Sequence, residues 1–202
     1  MRALIDGDIV AYRCAASAEQ DDVSIALWRV DDLMERILAN TNADTFNVYL
    51  GGRYNFRKVV DPLYKANRVA PKPIHLEACR DHLQLNWSAE LQLGIETDDR
   101  LGIEQSDDTV ICSIDKDLRQ IPGLHYNFVK DIQDEVDEYT GWYNFYRSFL
   151  IGDKSDNIHG IRGLGPAKAE KLLHGLTPEE MFTKVRELYL SLIHISEPTR
   201  PY

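Results

Sequence analysis

The chain has 202 residues, 44% of them apolar, which suffices for one cored domain with a small appendage. Its formal net charge of −10 excludes a basic protein that coats nucleic acid. It leaves room for an enzyme whose carboxylates are neutralised by bound cations, because such ions reverse the local potential.

The opening ALIDGDIVAYR begins with an apolar run that ends in acids. It reads as a buried strand delivering Asp6 and Asp8 to its carboxyl end, with a helix following over Ile9–Ser17. In an open parallel sheet, ligands bind at that end. Asp8 reads equally as an acid of such a site or as a cap of the helix. Apolar residues at Val30, Leu33, Met34, Ile37 and Leu38 have the spacing of an amphipathic helix. FNVYL is a second strand, and Gly51 and Gly52 come directly after it. In NFRKVVDPLYKANR, Arg57, Lys58, Lys65 and Arg68 alternate with Phe56, Pro62 and Tyr64, a pattern suited to following a phosphate backbone and stacking on an unpaired base.

After a proline-broken stretch, Ile74–Trp87 reads as a helix carrying Leu76, Cys79, Leu83 and Leu85. His75 and His82 on it lack a third ligand and read as surface or packing residues. AELQLGIETDDRLGI gives a short strand, then Glu96, Asp98 and Asp99 at a helix start, where acids are also expected on dipole grounds. In TVICSIDKDLRQIPG, a strand over Thr109–Ile114 delivers Asp115 and Asp117, while Lys116 and Arg119 read as solvent-facing. GLHYNFV is a further strand. Ile132–Ile151 reads as one helix with a very acidic first turn. Its aromatic cluster, Trp142, Tyr143, Phe145, Tyr146 and Phe149, is expected mostly in the core.

GDKSDNIHGIRGLGPAKAEKLL joins two devices. Asp153 and Asp156 are spaced to converge on one cation. Gly163 and Gly165 then form a tight turn into a helix, whose bared N–H groups and positive end suit a phosphate. Collected, the candidate ligands are Asp6, Glu96, Asp98, Asp115, Asp117, Asp153 and Asp156. An all-carboxylate set selects hard cations, Mg²⁺ or Mn²⁺, over zinc. Seven acids crowded together would otherwise repel one another. Cys14, Cys79 and Cys112 lie far apart and read as buried, reduced residues.

LIDGDIVAYR, NFRK-x-x-DP-x-YKANR, E-x-DD, S-x-DKDL-x-x-IPG and GD-x-SDN-x-x-G-x-x-G-x-G occur in that order from about Met1 to Leu176. Together they resemble the 5′-to-3′ exonuclease and flap endonuclease superfamily, its phage-encoded stand-alone enzymes above all. The resemblance implies an α/β fold: a twisted, mostly parallel, PIN-like sheet flanked by helices, with a C-terminal helix-three-turn-helix. It implies a nuclease core over 1–151 and a DNA-binding region over 152–189. The implied chemistry is hydrolysis of DNA from the 5′ end, with flap cleavage, by two ions roughly 4 Å apart.

By the same resemblance, Asp6, Glu96 and Asp98 hold the first ion, and Asp115, Asp117, Asp153 and Asp156 hold or orient the second, with Asp98 shared. Asp8 and Asp99 stand behind them, Asp99 within the catalytic set. Lys65 and Arg68 face the scissile phosphate. Arg57, Gly163, Gly165, Lys168 and Lys171 contact DNA, with K⁺ at the glycine turn, and any helical arch after YKANR is small. The implied partner is DNA with a free 5′ end, flap or junction, bound by a monomer. With no apolar run long enough to span a bilayer and no signal-peptide pattern at MRALIDGDIV, the chain reads as cytoplasmic.

Two positions depart from the superfamily pattern. Gly52 stands where many members place a metal-binding aspartate, and His159 where proline is usual. Residues 190–202, beginning LSLIHISEPTR, resemble the translation of a sequencing-library adapter, which implies a truncated reading of a longer gene. Two other readings share these features: a PIN-type ribonuclease, and a structure-selective DNA-binding protein with an impaired site.

Overall fold

The strand RALID is apolar on both faces, which commits it to the middle of a covered sheet. In the computed structural model, which describes residues 1–196, Ala3, Leu4 and Ile5 of β1 (Arg2–Asp6) are fully buried. β1 is flanked by β2 (Thr45–Asn55) and β4 (Thr109–Cys112). The six-stranded sheet has the order β3-β2-β1-β4-β5-β6, with β3 at Glu90–Gly94, β5 at Gly123–Asn127 and β6 at Ile132–Val136. All neighbours are parallel except β5 and β6. The chain moves outward from β1 through β2 to β3, then crosses to β4 on the other side. The reversal leaves a crevice beyond the carboxyl ends of β1 and β4, where such sheets take ligands.

α1 (Gly7–Ser17), α2 (Val23–Thr41) and α4 (Leu76–Asn86) supply one core layer, in which Val10, Met34, Ile37 and Leu83 pack on Ile5, Val48 and Val110. α5 (Thr97–Glu104) covers the other face, with Leu101 against Leu4, Tyr49 and Ile111. A third cluster, around Leu150, Leu173 and Met181, joins α6 (Glu138–Ile151), α7 (Pro166–Leu173) and α8 (Pro178–Ser196). The short hairpin β7 (Gly152–Asp153) and β8 (Ile158–His159) lies between α6 and α7. This is the expected mostly parallel α/β architecture with a helical C-terminal region.

Several boundaries differ from the sequence reading. α2 is longer at both ends, because the Asp22 carboxylate caps its first turn and Asn42 ends it in the left-handed conformation. β2 continues through Gly51 and Gly52 to Asn55, and β4 stops at Cys112. Leu85 is 82% exposed, out of phase with Leu76, Cys79 and Leu83 on α4. After YKANR there is no arch helix among the described residues: α3 (Arg57–Val60) is one turn, and 61–75 is turn and coil.

The largest correction is Ile132–Ile151. Its acidic first part is not helix but the edge strand β6, antiparallel to β5 after a turn in which Asp131 adopts φ 55. Acids on an edge strand face water and discourage further pairing. The helix begins only at Asp137, whose side chain accepts from the Thr140 N–H. Of the aromatics on α6, Tyr146 is buried, but Trp142, Phe145 and Phe149 are exposed. They stack along the helix surface instead of filling the core. Residues 197–202 of the adapter-like tail lie outside the described residues.

Candidate active site

The carboxyl end of β1 presents Asp6, which is 2% exposed. One of its oxygens caps α1 by accepting from the Ile9 N–H at 3.1 Å, and the other accepts from the Ser113 hydroxyl at 2.8 Å. The helix cap is therefore Asp6, not Asp8. Asp8 instead reaches across to β2 and α5, accepting from the Gly51 N–H and the Thr97 hydroxyl, each at 2.7 Å, and from Arg80. Beyond β4, Asp115 accepts from the Asp117 N–H at 2.8 Å, which fixes the turn that carries both acids.

The start of α5 brings Glu96 and Asp98 to the same crevice. Glu96 and Asp99 form a reciprocal capping box, in which the Asp99 carboxylate takes the Glu96 N–H at 2.9 Å. Asp99 also takes both ends of the Arg57 guanidinium, at 2.6 and 2.7 Å. Arg57 and Asp99 thus satisfy each other, with the Asp99 carboxyl held below its ordinary range even though burial works against that. Neither borders the cleft of Asp6, but both line the one that adjoins it, where they are paired to each other.

Asp6, Asp8, Glu96, Asp98, Asp115, Asp117 and Asp156 line one cleft of about 350 Å³ with Lys65 and Arg68. Asp153 faces an adjoining cleft that shares Glu96, Asp98, Asp117 and Asp156. It is tied to the first by Lys116, whose ammonium donates to Asp117 at 2.8 Å and Asp153 at 2.9 Å. Lys116 is solvent-facing, as read from sequence, with its side chain 75% exposed, and it also bridges these two acids. Burial works against it, but Ser155 and Lys116 hold the Asp153 carboxyl well below the usual range.

The segment 63–68 fastens the hairpin motif to the sheet domain. The Lys65 N–H donates to the Asp156 carbonyl, Asn67 to the Lys154 carbonyl, and Asn157 to the Leu63 carbonyl. Buried Tyr64 donates through its one hydroxyl toward Glu96 at 2.8 Å and Asp156 at 3.0 Å, so burial and the two carboxylates push its own ionisation far up. Lys65 reaches Glu96 at 2.6 Å, and Arg68 reaches Asp156 at 2.5 Å. Ser113 was not read from sequence as a site residue, and Tyr64 was read as a surface for stacking an unpaired base, whereas at 5% exposure it is buried against two acids. Their signal lay in their place inside YKANR and directly before the acids of SIDKD.

Among the described residues, no three His, Cys, Asp or Glu side chains close into a preformed metal cage. The physical reason is visible in the contacts: Glu96, Asp117 and Asp156 are drawn toward Lys65, Lys116 and Arg68. Asp6, Asp98 and Asp115 have no such cation among the described residues. Burial, with Asp8 and Asp115 adding to it, pushes the Asp6 carboxyl up to about 7. Burial and the charges of Asp6, Asp115 and Glu96 push Asp98 up to about 8. Carboxylates so poorly neutralised, forming an all-oxygen donor set, fit a hard divalent cation.

Gly163 and Gly165 are exposed, with Gly163 at φ 80. A side chain at either would meet nothing within 4 Å, so the turn into α7 stands open. Lys168 and Lys171 are exposed on α7, and the Lys168 ammonium closes the turn by donating to the Gly163 carbonyl at 2.8 Å. His82 donates through Nε2 to the Asp31 carboxylate and accepts at Nδ1 from the Asn86 amide, a packing role.

No family model matches the chain. It is 33% identical over 126 residues to the exodeoxyribonuclease of Enterobacteria phage T3, a match covering 55% of this chain and 41% of that protein. It is 25% identical to the 5′-3′ exonuclease of Buchnera aphidicola, over 92% of this chain and 72% of that one. The chain thus spans about two fifths of the phage T3 relative it matches. Among solved structures, the 5′-exonuclease of phage T5 with bound zinc superposes with a TM-score of 0.71 at 16% identity, covering 98% of this chain and 90% of that one. The phage T5 flap endonuclease in a complex with DNA and metal ions gives the same TM-score at 15% identity, over 94% and 84%.

Proposed function

From a chain that shares its motifs with the 5′-to-3′ exonuclease and flap endonuclease superfamily, and its fold with the phage T5 member, we propose a divalent-metal-dependent nuclease. Its substrate is DNA with a free 5′ end or flap, which it hydrolyses as a cytoplasmic monomer. The single observation that carries this reading is the convergence of Asp6, Glu96, Asp98, Asp115, Asp117 and Asp156 with Lys65 and Arg68 on one cleft, from segments spread over 150 positions.

Asp6, Asp98 and Asp115, the acids without a basic partner among the described residues, would hold Mg²⁺ or Mn²⁺, with Glu96, Asp117, Asp153 and Asp156 completing or orienting the set. Bound ions there supply an activated water and neutralise the departing 3′ oxygen. Ser113 and the α1 backbone fix the Asp6 oxygens, so the acid cannot swing away from the crevice. Lys65 and Arg68 border the same space, placed to neutralise a phosphate as charge builds on it. Segment 63–68 holds the hairpin motif against the cleft, so a duplex gripped by the backbone around Gly163 and Gly165, with K⁺ there and Lys168 and Lys171 beside it, is kept in register with the acids. Backbone contacts position DNA without reading its sequence.

A 5′-labelled flap duplex incubated with and without Mg²⁺ tests the proposal. Short labelled products should appear only with the metal and vanish in Asp115→Asn. Full cleavage in excess chelator, or cleavage of matched RNA alone, would overturn it.

A further inference from the structure

The wall of the cleft formed by Gly51 and Gly52 bears no carboxylate of its own. A Cβ on Gly52 would lie 2.3 Å from the Gln92 carbonyl oxygen of β3, so an acid there would have to displace a neighbouring strand. A Cβ on Gly51 would lie 2.8 Å from the Asp8 Oδ2, so the Asp8 carboxylate occupies the space in front of that position. Asp8 would therefore be the natural replacement ligand, yet its oxygens are already taken. Oδ2 accepts from the Gly51 N–H and the Thr97 hydroxyl, and Oδ1 from Arg80. Arg80 comes from α4, its side chain is only 17% exposed, and its other terminal nitrogen donates to the Gly51 carbonyl at 2.6 Å. It does not border the cleft, so it touches no phosphate there.

We propose that Arg80 is a positioning residue that withdraws Asp8 from the metal-binding set and turns the Gly51–Gly52 wall into a charge-neutral surface. On the first-strand side, Asp6 is then the one acid left that would bind metal, together with Asp98 and Asp115. This rests on the metal-nuclease reading above and deepens it, because it states which acid near Asp6 is not a ligand and why. The arrangement has a mechanical benefit as well. A guanidinium that joins Asp8 to the Gly51 carbonyl ties α1, α4 and β2 together at the cleft's edge.

The test is Mn²⁺ binding to the full chain, followed by titration calorimetry and by the free-ion electron paramagnetic resonance signal, with no DNA present. In Arg80→Gln, Asp8 gains a free oxygen facing the cleft, and Mn²⁺ should bind about tenfold more tightly, because affinity rises with the number of charged ligands. Arg57→Gln removes an equal charge on the Glu96–Asp99 side of the site without freeing Asp8, and should change affinity by much less. The charge-neutral double variant Arg80→Gln/Asp8→Asn should bind Mn²⁺ as the unaltered chain does, within about twofold, and Arg80→Lys should also keep the original affinity. Equal gains in Arg80→Gln and Arg57→Gln would reduce the effect to net charge and overturn the proposal. So would a tenfold loss in the double variant, which would make Asp8 a ligand after all. The double variant keeps a neutral amide pair in place of the ion pair, so it remains informative if Arg80→Gln alone does not fold. Cleavage is scored separately: Mn²⁺ binding as stated with no cutting would sink the nuclease reading alone, and cutting with the opposite binding pattern would sink only the role of Arg80.

Discussion

Asp98 and Asp6 have the most consequential environments of any side chains in the molecule. Their carboxyls ionise near 8 and 7 in the folded chain against 3.8 in the free residue. Between those limits the folded state holds protons that the unfolded chain has released, so in chelator the protein should lose stability as pH rises from about 4 to about 8. Asp98→Asn removes the buried charge. At pH 8 in chelator it should melt at least about 2 °C higher than the parent, while losing all metal-dependent cleavage. An unchanged or lower melting temperature would mean that the cleft is wetter and less crowded than its geometry indicates. Lys65→Ala should lower cleavage about 100-fold or more with a smaller effect on DNA binding, because its charge is needed most as the phosphate reacts. At this scale the acids were legible, since each follows an apolar run or opens a helix. Arg57 and Asp99 were not: a bidentate pair joining residues 42 apart in sequence leaves no local spacing to read. The same holds for Tyr64, whose role depends on two acids from other elements.

Among the elements, the hairpin at 152–160 shows how tightly the acids of the motif are held. A Cβ on Gly160 would fall 2.2 Å from the Ile151 carbonyl carbon and 2.4 Å from the Gly152 nitrogen, both backbone atoms that cannot yield. Gly160→Ala should therefore cost about 2 kcal/mol or more in a denaturant titration. Gly165→Val meets open space, at φ −93, so its stability should stay within about 1 kcal/mol of the parent. Duplex affinity should nonetheless fall several-fold, because the new side chain shields the amides at the start of α7 from a phosphate. Retained affinity in that variant would show that DNA does not dock at the turn. The element that sequence misassigned, β6, explains itself on the same scale. IQDEV has four exposed residues and one buried, and an edge strand with so little burial carries almost no alternation to distinguish it from an acidic helix start. Its pairing is decided by β5 across the turn, which no local pattern records.

For the molecule as a whole, the parallel sheet was readable because its central strands are short apolar runs ending in acids, and the order of the motifs fixed the rest. Where the aromatics of α6 would lie was not, since Trp142, Phe145 and Phe149 sit on a helix that is only partly covered by α7 and α8. Because the chain carries a net charge of −10, DNA would approach a repelling surface until cations filled the cleft. Affinity for a 5′-flap duplex should rise about tenfold or more when Ca²⁺ replaces chelator at fixed ionic strength; equal affinity in both would place the binding energy outside the acidic cleft.

Cys14 on α1, Cys79 on α4 and Cys112 on β4 all belong to one core layer, and burial raises the first two thiols to about 12 and about 11 and Cys112 higher still. The protein consequently carries its own reporters of breathing, silent to an alkylating reagent while the layers stay closed. Uniform labelling of all three would time concerted opening of the layer, whereas early capture of Cys79 alone would reveal the arginine-bearing helix lifting off by itself.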